Sequence, residues 1–182
     1  MLNKKVLWIT QTAITIALLI VIQATTATLG QPLGQYVTGS LVNLMLIVGV
    51  MIGGLSSGLT VAAVSPVFAK VVFQIGPSEL LIPFIIMGNI AFVVCWHFLG
   101  KRRYAAPMLV HGVAAIVAAV VKFATLYVGI IRIAIPLEIL PEAMAATASI
   151  MFSFPQLFTA LIGGGLAIAV LPLLKRALRR EG

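Results

Sequence analysis

The chain has no aspartate, and its four acids are the scattered glutamates Glu79, Glu138, Glu142 and Glu181. A metal-dependent lipid enzyme needs clustered carboxylates, which this distribution does not supply. Cysteine is almost as scarce, with Cys95 alone, so a disulfide framework is excluded. Two histidines, His97 and His111, complete a ligand inventory too small for a metal cluster, and neither a metal nor another cofactor is expected. Charge as a whole is rare: 9% of residues are charged, 62% are hydrophobic, and mean hydropathy is +1.18. A water-soluble domain cannot hide that much apolar surface, so the solvent is lipid. Catalytic signatures are also missing. There is no glycine-rich loop ending in Lys-Ser/Thr, no nucleophile elbow and no His-Glu-x-x-His. The stretch GGLSSGL has glycines four apart, which is helix-packing spacing and not a nucleotide loop. Any uphill transport by this protein therefore relies on ATP hydrolysed by another polypeptide.

What the chain does have is long apolar runs. Read at about 20 residues per crossing of a core of about 30 Å, they predict an all-α membrane protein with six transmembrane helices in one integral-membrane domain, residues 1–182. The expected spans are residues 6–28, 36–52, 55–73, 80–99, 105–128 and 150–174, the second being marginal in length. Lys4 and Lys5 followed by an apolar run have the outline of a secretory signal. The run exceeds a signal core of roughly 7–15 residues, so a retained first helix is expected. Gly30–Gln35 forms an uncharged loop one, Gly53-Gly54 a tight turn, and Gly76-Pro77-Ser78-Glu79 loop three. Loop five, residues 129–148, holds Pro136 and Pro141 and is expected to start a short interfacial helix at Pro141. Pro66 and Pro155 are expected to kink the third and last helices.

Basic residues give the orientation. Lys4, Lys5, Lys101, Arg102, Arg103, Lys175, Arg176, Arg179 and Arg180 are nine of the twelve, and with six helices all nine fall on one face. The positive-inside rule makes that face, with both termini, cytoplasmic, and loops one, three and five then face outward. The net charge of +8 is accounted for this way, without nucleic acid.

Lys122 is the candidate of most interest, because it lies inside the fifth span. An intramembrane charge costs ~2.5–3.5 kcal/mol on insertion scales and normally faces a bundle interior or water. His111, Ala115, Ala118 and Thr125 share its stripe, and such small and polar residues suit a face that lines a cavity or packs closely. The competing reading is that Lys122 snorkels to the interface. His111 lies about 16 Å from Lys122 along the helix and is expected to be a packed histidine. Lys70 is expected to snorkel. Asn89 and Gln156 join Lys122 as expected substrate-binding residues, since their helices should flank it. Asn43 is expected to bond a neighbouring helix. Phe152 and Phe154 beside Pro155 form an aromatic pair able to wall a pocket, Phe154 being the preferred member. Arg132 in loop five and Tyr36, where the second helix leaves loop one, complete the set.

Six helices in about this length, basic cytoplasmic ends, long outer loops one and five, and the small-residue step Ala13-x-x-x-Ala17 resemble a substrate-binding S component of an energy-coupling-factor (ECF) vitamin transporter. The last span, FSFPQLFTALIGGGLAIAVLPLLKRAL, adds to the likeness. The resemblance implies a subunit of the cell membrane that captures a vitamin or related micronutrient outside. Loop one closes over it, and the protein docks through Ala13 and Ala17 on a transmembrane coupling subunit carrying two ATPases. Lys122 and Arg132 favour a carboxylate, as in pantothenate or folate. Aromatics and amides suit a neutral bulky ligand equally well, such as riboflavin or a cobalamin. The alternatives are a stand-alone secondary carrier or channel, for which no inverted repeat is evident, an intramembrane lipid enzyme and a purely structural partner.

Overall fold

In a computed structural model the described residues are 3–76, 78–100 and 107–180, and every regular element among them is helical. The elements are α1 (Lys4–Thr26), α2 (Leu33–Gly53), α3 (Leu55–Val71), a single 3-10 turn (Glu79–Leu81), α4 (Ile82–Gly100), α5 (Pro107–Leu126), a π-helical segment (Tyr127–Ala134), α6 (Glu142–Met151) and α7 (Phe154–Arg180). Five stretches are long and apolar enough to cross a membrane, and α3, at 17 residues, is a shorter apolar helix. The protein is thus an all-helical, membrane-embedded bundle. The basic turn Lys101-Arg102-Arg103, Pro77 of loop three and Glu181 lie outside the described residues.

Local sequence explains most boundaries. The Asn3 side chain accepts from the Lys5 amide at 3.1 Å and opens α1. Gly54, at φ +90°, makes the one-residue corner between α2 and α3, a conformation that favours glycine. Ser78 caps the 3-10 turn by accepting from the Leu80 amide at 3.2 Å. Three expectations need correction. Helix α2 starts at Leu33 and has 21 residues, so the short apolar helix is α3 and not α2. The first part of loop five is helical, because α5 runs on as a π segment over Tyr127–Ala134, while the short helix expected after Pro141 is α6. The last span is broken and not merely bent, because the chain leaves helix at Phe152 and restarts at Phe154. Pro155 has no amide hydrogen with which to continue the ladder back to Met151, which suits it to the first turn of a new helix.

Helix α2 is the central element, in contact with α1, α3, α4 and α7, while α4, α5 and α7 close the other side. The main core joins Leu46, Ile47, Val50, Val61, Phe92, Trp96 and Leu171, all 0% exposed. Trp96 is an interior residue beside His111, with ring centroids 6.1 Å apart. A second core of Leu81, Leu126, Ile130, Ala134, Leu140, Ala148 and Phe152 fastens the 3-10 turn, the π segment and α6 together. Helix α1 is peripheral and packs mainly on α2 and α3. Buried polar contacts hold it there: the Thr12 hydroxyl donates to Ser57 Oγ at 2.9 Å, and Gln23 Nε2 donates to the Ser65 carbonyl at 3.0 Å. Its opposite face, with Ala13, Ile14, Ala17, Leu18 and Val21, is exposed.

Candidate functional site

A cavity of about 390 Å³ lies at the bundle end formed by loops one and three and the α6–α7 break, opposite the end that carries Lys4, Lys5, Lys175 and Arg176. That volume is in the range of small-molecule sites, roughly 300–1,000 Å³. Residues 29–31 and 73–76 line its mouth, and Asn43, Asn89 and Lys122 line its inner end.

Lys122 is 4% exposed. Its ammonium donates to Asn43 Oδ1 at 2.6 Å and to Asn89 Oδ1 at 2.8 Å, and lies 5.4 Å from the centre of the Phe92 ring. Three helices, α2, α4 and α5, therefore converge on one cation. The cavity reading of Lys122 agrees with this geometry, and the snorkelling one does not. The rest of its stripe behaves differently. Ala115 and Ala118 are buried outside the cavity lining, and Thr125 returns its hydroxyl to the Val121 carbonyl at 2.8 Å.

Prolines orient the amides of the lining. An interior proline removes the amide hydrogen that would satisfy the carbonyl four residues earlier. In lipid such a carbonyl needs another donor. Pro66 frees the Ala62 carbonyl, which accepts from Asn89 Nδ2 at 3.4 Å. Pro155 frees the Met151 carbonyl, which accepts from Gln35 Nε2 at 2.7 Å and Gln156 Nε2 at 3.3 Å. Both bonds fix which end of the amide faces which way. Asn89 thereby points its oxygen at Lys122, and Gln35 ties the start of α2 to the break before α7. Asn43 is set by close approach of α7: a Cβ on Gly163 would sit 2.6 Å from Asn43 Cβ, so only glycine fits there. Asn43 Nδ2 lies 3.5 Å from Thr159 Oγ1 on the same helix.

Of the expected site residues, Lys122, Asn89 and Gln156 line this cavity. Phe154, Arg132 and Tyr36 do not. Phe154 is 65% exposed and stacks on Phe123, with centroids 5.8 Å apart, while Phe152 takes the place in the lining. The break before Phe154 resets the helical phase, which turns Phe152 inward and Phe154 outward. Arg132 is exposed on the π segment, and Tyr36 is half-buried outside the lining. Asn43 is a first-rank contact that sequence reasoning gave only a packing role, and Gln35, Thr38 and Gln23 also line the cavity. Lys70 lines the rim and donates to the Gly76 carbonyl at 3.1 Å, clasping loop three.

No Asp or Glu is among the described lining residues, and Glu79, Glu138 and Glu142 are all exposed. No group of three or more His, Cys, Asp or Glu side chains gathers among the described residues in a way that would hold a metal ion. The site is thus equipped to bind by hydrogen bonds, charge and apolar contact. No family model matches the chain, and neither a curated protein nor a solved structure does.

Proposed function

We propose that this protein is the solute-capturing subunit of an importer of the ECF type, set in the prokaryotic cell membrane with six spans and both termini in the cytoplasm. The cavity around Lys122 carries this reading, because a buried, amide-caged cation beneath two loops is an arrangement for receiving a solute. In this orientation the mouth faces outward, since it lies at the end away from Lys4, Lys5, Lys175 and Arg176. Loop one is uncharged, so it can open and close without stranding a charge in lipid. The substrate is a vitamin-like micronutrient, and the cavity volume suits a compact molecule better than a corrinoid. Turnover then falls to partners: a transmembrane coupling subunit and two ATPases, met through the exposed α1 face at Ala13 and Ala17.

The test is reconstitution. The chain is expressed in membranes with and without an ECF coupling module, and uptake of the co-purifying solute is followed. Uptake that needs both the module and its ATP hydrolysis supports the reading. Accumulation by the chain alone would instead establish a secondary carrier.

A further inference from the structure

We infer that the captured solute is a compact organic acid, and that its carboxylate is received at the inner end of the cavity by Lys122, Asn43 and Asn89; this rests on the capture function proposed above. An ammonium has three N–H groups, and Lys122 uses two of them on Asn43 Oδ1 and Asn89 Oδ1. Those bonds occupy the oxygen end of each amide and turn its NH₂ end away. Each NH₂ makes one long bond, to Thr159 Oγ1 at 3.5 Å and to the Ala62 carbonyl at 3.4 Å, and an amide NH₂ has two hydrogens. The three residues together hold unspent donors, while both amide oxygens already serve the lysine. An acceptor-only group, such as an ionised carboxylate, complements that set. An alcohol or a carboxamide can use the second lone pair of an amide oxygen, but it brings no negative charge to set against the ammonium.

Charge points the same way. A charged side chain at membrane depth pairs with another charge or with backbone carbonyls, yet the described partners of Lys122 are two neutral amides and the face of Phe92. The cavity lining has a second cation, Lys70 at the rim, and no described acid. A ligand carboxylate supplies the missing charge, and Lys70 favours the approach of an anion to the mouth. The walls are apolar, with Val42, Phe73, Ile82, Ile85 and Phe152. They call for a carbon body behind the carboxylate and disfavour a bare inorganic oxyanion.

The test uses the purified full-length protein in detergent and follows thermal unfolding with organic acids from propionate to benzoate and octanoate, each beside its carboxamide, and with sulfate. The expected result is stabilisation on the order of 3 °C by at least one acid over its amide and over sulfate. The preference should vanish in Lys122→Met. It should also vanish in Asn89→Asp, which keeps the side-chain shape and places a protein carboxylate where Asn89 Oδ1 now meets Lys122. The second variant keeps the test decisive if Lys122→Met does not fold. Equal stabilisation by acids and amides would overturn the carboxylate assignment and leave the capture function standing. So would an acid preference that survives in Asn89→Asp, or no shift from any acid. Failure of module-dependent uptake would instead strike at the capture function itself.

Discussion

Pro66→Ala should make the protein more stable and a poorer binder. The substitution restores an amide hydrogen at position 66, which can return to the Ala62 carbonyl and displace Asn89 Nδ2 from its 3.4 Å contact. A regained backbone bond contributes ~0.5–1.5 kcal/mol net. Relief of the proline ring against that carbonyl adds to it, as part of the ~3 kcal/mol or more that an interior proline costs. Against this stands the loss of one long bond from Asn89, about 0.5 kcal/mol at the low end of the same range. The balance is a stabilisation of ~1–2 kcal/mol, or a rise of about 2–8 °C for a chain of this size. Binding moves the other way. Asn89, no longer held at its NH₂ end, is free to turn its oxygen away from Lys122, now 2.8 Å distant. A loss of about tenfold in affinity corresponds to ~1.4 kcal/mol. Thermal unfolding and equilibrium binding of the co-purifying solute, measured on the same preparation, read both quantities. A variant that melts lower, or binds as well as the parent, would refute the idea that the proline exists to aim the amide.

Other outcomes follow from the same geometry. Gly163→Val places a side chain where even a Cβ would meet Asn43 Cβ at 2.6 Å, so α7 must retreat from α2. Stability should fall by ~1–3 kcal/mol, read as a lower melting temperature, together with solute binding. Gln35→Leu leaves the Met151 carbonyl with only the 3.3 Å bond from Gln156. A loss of ~1 kcal/mol in thermal stability is expected, and hydrogen exchange should quicken at the start of α2. Ala13→Leu with Ala17→Leu lies on the exposed face of α1. Melting temperature and solute binding should stay unchanged while module-dependent uptake is lost; full uptake would remove α1 as the docking face.

Much of the architecture is legible in the residues. The long apolar helices follow from apolar length, the α2–α3 corner from Gly53-Gly54, and α6 from Pro141. Lys122 announces itself because a lone cation in an apolar run has few places to go. The partners of Lys122 are less legible. Asn43 and Asn89 are both single amides in apolar helices, and only the vertical register and rotation of α2 and α4 against α5 bring both oxygens to one nitrogen. Nothing within one helix reports its phase relative to another. Phe154 illustrates the same limit: Pro155 marks an irregularity, but a kink would have kept the phase across it, and the break that occurs swaps the inward role to Phe152. Arg132 drew attention as a charge in an expected loop, yet that segment is a π helix whose arginine faces out. The Pro66–Ala62–Asn89 relation was within reach of the sequence on one side only. A proline identifies the carbonyl it frees, whereas the donor that answers it comes from another helix.

Solute capture requires that the cavity around Lys122 hold a solute. Mass spectrometry of small molecules released from the purified protein, beside an equally expressed and folded Lys122→Met variant, addresses this directly. One compact molecule should be released in stoichiometric amount from the parent and be absent from the variant. A parent that carries no solute under any growth condition, or a variant that retains the same molecule in full, would contradict capture at this site.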